Sequence, residues 1–201
     1  MADHDSPISL NPAAGGTMAK QLVRAESGHW PVPEGTVLAS AFSRAGAYML
    51  DTMFVMGILL IITSLLGGAG GNILRAYDLE LLRSGGKGTV LFIVDWFLIL
   101  AGNFLYHKHT GLQMSRSLGH SWFGLAVVRE DGKQLQRSDW DKRAFRKLAY
   151  AIPIVGPLYF GIRDLLRIRS RHTHQSSIDL AVASIVARAD SLPPASRQHL
   201  R

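Results

Sequence analysis

Two long apolar stretches, each with an ionisable group inside it, constrain this chain more than any other feature. Residues 46–66 carry a single formal charge, Asp51, and residues 89–106 are organised in the same way around Asp95. At about 1.5 Å per residue the two runs reach roughly 31 Å and roughly 27 Å, which matches the hydrocarbon thickness of a bilayer. A carboxylate at such a depth costs several kcal/mol unless it is paired, hydrogen-bonded or protonated. The pattern predicts an all-α integral membrane protein built on a two-span helical hairpin, with polar groups held inside it. Arg44 stands where the first run begins, so that an arginine and an aspartate share one helix face seven residues apart.

The 201 residues suit one domain or one membrane bundle with a tail. There is no cysteine, which excludes disulfides and thiolate metal sites. The net charge is +7, and the basic residues concentrate in 107–147 and 163–201, where they flank apolar runs. That placement suits a bilayer with anionic headgroups better than nucleic acid. The basic 107–147 segment marks its side of the hairpin as cytoplasmic. The expectation is a multi-pass protein of the cell membrane with most of its soluble parts in the cytoplasm.

Residues 1–41 read as a disordered N-terminal tail, 42–189 as the membrane domain and 190–201 as a C-terminal tail. No apolar core follows a charged N-terminus, so a cleaved signal peptide is not expected. Between the spans, Leu74, Leu81 and Leu82 alternate with charges and suggest a short amphipathic helix. Ser84 to Gly88 turns the chain back without the spacing of a phosphate loop. Residues 107–133 look soluble and turn-rich, with a short strand over 122–128 before Asp131-Gly132. A third segment, about 139–169, has an apolar run at 148–162 broken by Pro153 and Gly156-Pro157. It is either a re-entrant hairpin, which keeps both basic segments cytoplasmic, or a full third crossing. In the first arrangement a strand near 181–187 pairs with Leu125–Val128 in a small cytoplasmic cap.

Asp51 and Asp95 are the candidate ion or proton stations, and they lie about 13 Å apart along the normal of an antiparallel hairpin. Asn103 lies near the level of Asp51 as a hydrogen-bond partner, and Arg44, Asn103 or the third segment would hold Asp51 in a packing role. No cation is evident at the depth of Asp95. His107, His109, His172 and His174 form two pairs that could converge on a metal, but no carboxylate or thiolate accompanies them at ligand spacing, so no metal and no other cofactor is expected. No nucleophile–base constellation stands out around Ser43, Ser115 or Ser117, and no enzymatic activity is expected.

The block Phe42-Ser43-Arg44-Ala45-Gly46-Ala47-Tyr48-Met49-Leu50-Asp51 is followed later by Ser117-Leu118-Gly119-His120-Ser121-Trp122-Phe123-Gly124-Leu125. Together these resemble the RDD family of small membrane proteins, named for one arginine and two aspartates. His120 stands where a lysine is usual, Gly119 and Gly124 match the second block, and Arg143 falls where the family tends to carry an arginine before its last apolar run. The resemblance implies a second aspartate after the last helix. An ungapped reading puts Ser176 there, and a short insertion puts Asp179 there. It also implies a membrane protein of a kind often associated with transport, without a substrate. Two functions stay open: a transporter of a small ligand, or an exchanger of cations and protons, built as a homo-oligomer; and an accessory or assembly subunit of a larger membrane complex.

Overall fold

The computed structural model describes residues 32–33, 35–67, 72–152, 154–170, 173–198 and 200. Residues 1–31 and 34 of the expected 1–41 tail, the break at Pro153 and the candidate ligand His172 lie outside those residues. The architecture is mostly helical. Helix α1 spans Ala41–Gly67, and a 3₁₀ turn, Ile73–Tyr77, leads to the short α2, Glu80–Arg83. Helix α3 spans Gly86–Met114, α4 is the single turn Leu118–Trp122, and β1 is Leu125–Arg129. Helix α5, Arg137–Ala151, is followed by a π-helical turn, Gly156–Gly161, that runs into α6, Ile162–Ser170. The chain ends with α7, Ser177–Ala181, β2, Ser184–Arg188, and α8, Pro194–Arg197.

Helices α1 and α3 are long and apolar enough to cross a membrane, with mean hydropathy 2.2 and 1.9 over their most apolar windows. Only 11% and 17% of those windows is buried, so the apolar residues face outward. The buried residues of α1 are Arg44, Ala47, Asp51 and Val55; those of α3 are Asp95, Ile99, Asn103, His107 and Gly111. Steps of three and four place each set on one helix face. The polar groups thus line the inner face and the bulky apolar groups the outer one, the reverse of a water-soluble helix.

Helix α3 continues to Met114, eight residues past the expected end of the second span, and so corrects the reading of 107–133 as turn-rich. Its polar extension is helical because α5 packs along it. Lys108 Nζ lies 2.9 Å from Asp141, and Gly111 leaves room for the Trp140 ring. The expected amphipathic helix after the first span is also revised. Ile73 and Ala76 are buried with Ile99 against the hairpin, held there by a 2.8 Å bond from Trp96 Nε1 to the Ala76 carbonyl.

The two strands pair antiparallel, with Val127 opposite Val186 and Arg129 opposite Ser184. The strand expected over 122–128 begins only at Leu125, because Trp122 closes α4 and Gly124 turns the chain at φ +64°. One sheet face packs on Ala47, Trp140 and Leu135, and the other on Leu192. Residues on both tails join this core. The Ala39 N–H donates to the Val186 carbonyl at 2.9 Å, and the Arg188 N–H donates to that of Val37 at 2.8 Å. Leu192 is 1% exposed, although 190–201 reads as a tail.

The third segment doubles back. Tyr150 on α5 donates to Asp164 on α6 at 2.5 Å, whereas a straight helix would hold residues 14 apart at about 21 Å. Ile154 takes the left-handed φ of +62° within the turn.

Candidate functional site

Asp51 is fully buried, and three donors converge on its carboxylate. Tyr106 Oη donates to Oδ1 at 2.6 Å, the Gly119 N–H to Oδ1 at 2.7 Å, and Ser117 Oγ to Oδ2 at 2.5 Å. Tyr106 in turn accepts from the Leu118 N–H at 3.1 Å. The site is built by the close approach of α4 to α1. A side chain at residue 119 would run into the Ala47 carbonyl oxygen, so only glycine lets this amide reach Asp51. Ser117 caps α4, its oxygen accepting from the His120 N–H at 3.2 Å, and the same oxygen lies 2.5 Å from His120 Nδ1. Burial pushes the His120 imidazole well below its ordinary pKa, and the positive charges of Lys147, Arg143 and Arg44 push the same way against Asp179.

A second network joins three elements distant in sequence. Arg44 on α1 and Arg143 on α5 both grip Asp179 on α7 at 2.6 Å, one on each carboxylate oxygen. Arg44 also donates to the Val186 carbonyl at 3.2 Å, and Arg143 to Ser184 Oγ. Ser176 donates to Asp179 through its amide at 3.0 Å and its hydroxyl at 2.8 Å, closing a reciprocal cap on α7. Burial alone would raise the Asp179 pKa. The two guanidinium groups and the Ser176 amide overcome that and hold it well below the usual carboxylate range.

The structure therefore redistributes the expected partners. Arg44 serves Asp179 and not Asp51. Asn103 donates to the Ile99 carbonyl of its own helix at 2.9 Å and not to Asp51. Asp95 has the cation that the sequence hid: Arg75 Nε in the 3₁₀ turn lies 3.3 Å from Oδ2. Among the described residues no group of three histidine or acidic side chains could hold a metal ion; His109 is exposed and His174 half-buried. Gly124 supplies the turn into β1. Sequence reasoning missed Tyr106, Ser117 and Lys147 as members of the site, along with Asp164, which accepts from Tyr150 and from Ser177 Oγ at 2.5 Å each. The serine cap before Leu118-Gly119 was the one legible hint of the Ser117 role.

The two networks meet at a small cavity of about 10 Å³ bordered by His107, Ser117, His120, Trp140, Arg143 and Lys147. Lys147 Nζ lies 3.3 Å from His107 Nδ1. Burial pushes the Lys147 ammonium down to about 8, Arg143 adding to the effect while Asp51 and Asp179 oppose it.

No curated protein and no solved structure matches the chain at a significant level. A family model, that of the RDD family, matches residues 38–183, which takes in Arg44, Asp51, the Ser117–Gly124 block, Arg143 and Asp179. With the match running over most of its length, and the same residues forming the buried polar core of an apolar hairpin, the chain belongs to the RDD family of membrane proteins.

Proposed function

We propose that this protein exchanges a small cation for a proton across the cell membrane, with Asp51 as the station the two share. The observation that carries this reading is the surroundings of Asp51. It is a buried carboxylate on an apolar helix, held by two hydroxyls and an amide, and among the described residues no lysine or arginine forms an ion pair with it. Asp179 and Asp95 have guanidinium partners that cancel their charge within the fold. Among the described residues the charge of Asp51 is met by hydrogen-bond dipoles and by Lys147 at longer range, so a proton and a hard cation can compete for it.

In this reading α1 and α3 cross the membrane as a hairpin, and the third segment enters and leaves on one side. The pairing of β1 with β2 supports that, because the two strands flank the third segment and hydrogen-bond to each other. The soluble cap lies in the cytoplasm, with Lys142, Arg146, Arg163 and Arg167 at the anionic headgroups. Two spans enclose little of a pathway, so the transporting unit is a homo-oligomer.

The test is the full-length protein, purified and reconstituted into vesicles containing a pH-sensitive dye. An inward gradient of sodium, potassium or lithium should drive proton movement, and Asp51→Asn should reduce it to the level of empty vesicles. Wild-type rates in a monodisperse Asp51→Asn protein, or no flux of any of these ions in the wild type, would overturn the proposal.

A further inference from the structure

Hydrogen-bond valence gives the polar core a direction. An ammonium only donates, so the Lys147–His107 contact makes His107 Nδ1 the acceptor and places that ring's proton on Nε2. His107 is 5% exposed, and its Nε2 has no hydrogen-bond partner among the described residues. On the other side, Ser117 Oγ has one proton and lies 2.5 Å from both Asp51 Oδ2 and His120 Nδ1. A carboxylate only accepts, so Ser117 donates to Asp51 and His120 Nδ1 donates to Ser117. Both histidines border the same cavity, which has room for about one water molecule. The order Asp–Ser–His also separates this chain of groups from a nucleophilic triad, where histidine stands between the other two.

We propose that Asp51 receives and returns its proton along a relay formed by Lys147, His107, one water in the cavity, His120 and Ser117. The proposal rests on the exchange reading above and names the route by which its proton reaches the cytoplasmic cap. In one passage the Lys147 ammonium gives a proton to His107 Nδ1, and His107 Nε2 gives one to the water. The water gives one to His120 Nε2, His120 Nδ1 gives one to Ser117 Oγ, and the Ser117 hydroxyl gives one to Asp51 Oδ2. Lys147 ends neutral, Asp51 ends as the acid, both imidazoles change tautomer, and the total charge is unchanged. The charged groups facing this route are Arg44 on α1, Arg143 on α5 and Asp179 on α7. The two arginines are committed to Asp179, one on each carboxylate oxygen, and stand outside the relay. A lysine brought toward neutral pH by burial is suited to start such a transfer.

Two measurements on the full chain test the relay. Histidine-selective ¹⁵N resonance in lipid nanodiscs should find neutral His120 protonated at Nδ1 and His107 at Nε2. Asp51→Asn should shift the His120 resonances, and Ser117→Ala should abolish that coupling. In vesicles, Ser117→Ala and His120→Phe should each slow cation-driven proton movement at least about tenfold, while Ser117→Thr, which keeps the hydroxyl, should stay within about threefold of the wild type. A His120 ring protonated only at Nε2, or equal rates for Ser117→Ala and Ser117→Thr, would overturn the relay. Wild-type vesicles without ion flux would overturn the exchange reading instead, and the tautomers and their coupling to Asp51 would still decide the relay.

Discussion

At the scale of single residues, the buried aspartates differ in what holds their charge. Asp179 is clamped between Arg44 and Arg143 and capped by Ser176, so its charge belongs to the fold. Replacing it with asparagine leaves two buried guanidinium groups facing each other, and breaking a buried pair in this way costs about 3–5 kcal/mol. The sign with pH follows from its depressed pKa. The contribution is fully present above the ordinary aspartate value near 4 and is lost as pH falls below that toward the folded value. Thermal unfolding in detergent should show Asp179→Asn far less stable than the wild type at pH 7, with the gap narrowing below about pH 4; a gap independent of pH would contradict the clamp. Arg44 and Asp51 were legible as a pair on one helix face. Their partners were not, because Asp179 lies 135 residues from Arg44 and Ser117 lies 66 from Asp51. Arg75 was missed for a related reason. Its segment reads as an exposed amphipathic stretch until the 3₁₀ turn folds it against Asp95.

At the scale of elements, the single turn α4 decides whether the Asp51 site exists. Its Gly119 touches the backbone of α1, Ser117 and Gly119 supply two of the three donors to Asp51, and Tyr106 on α3 is oriented by the Leu118 amide. A methyl group at residue 119 meets the Ala47 carbonyl oxygen, which belongs to a helix and cannot move aside alone. Gly119→Ala should therefore push α4 off α1, destabilise the protein by about 1–3 kcal/mol and weaken proton-driven exchange. Gly57→Ala, inside α1 with nothing within 4 Å, serves as the control; it should leave vesicle flux unchanged and the unfolding midpoint the same or slightly raised, since alanine favours a helix interior over glycine. The Ser-Leu-Gly spacing made this block recognisable, yet its secondary structure was legible only in part. Five residues are too short for a helical period, and Trp122 and Phe123 have strand propensity until α4 claims them. The extension of α3 past Tyr106 was hidden in the same way, since Lys108 and Gly111 become helical through their contacts with Asp141 and Trp140.

At the scale of the whole molecule, the sheet ties the helices to a common side. The segment before α1 pairs with β2, β1 follows α3, and β2 follows the third segment. The proposed topology follows from that sheet: the start of α1, the end of α3 and both ends of the third segment share one face, and among the described residues the loop around α2 reaches the other. The absence of cysteine makes this directly measurable, because any introduced thiol is unique. Arg83 and Lys133 are suitable positions, with side chains 81% and 78% exposed. In intact cells a membrane-impermeant maleimide should label Arg83→Cys, and Lys133→Cys only after permeabilisation. A third thiol at Arg188, on the strand that follows the folded-back segment and 59% exposed, should behave like Lys133→Cys. Labelling of Arg188→Cys from outside would require the third segment to cross the bilayer and would separate β2 from β1. The relay from Lys147 to Asp51 depends on the opposite outcome, because a cytoplasmic cap is what gives its first donor access to cytoplasmic protons.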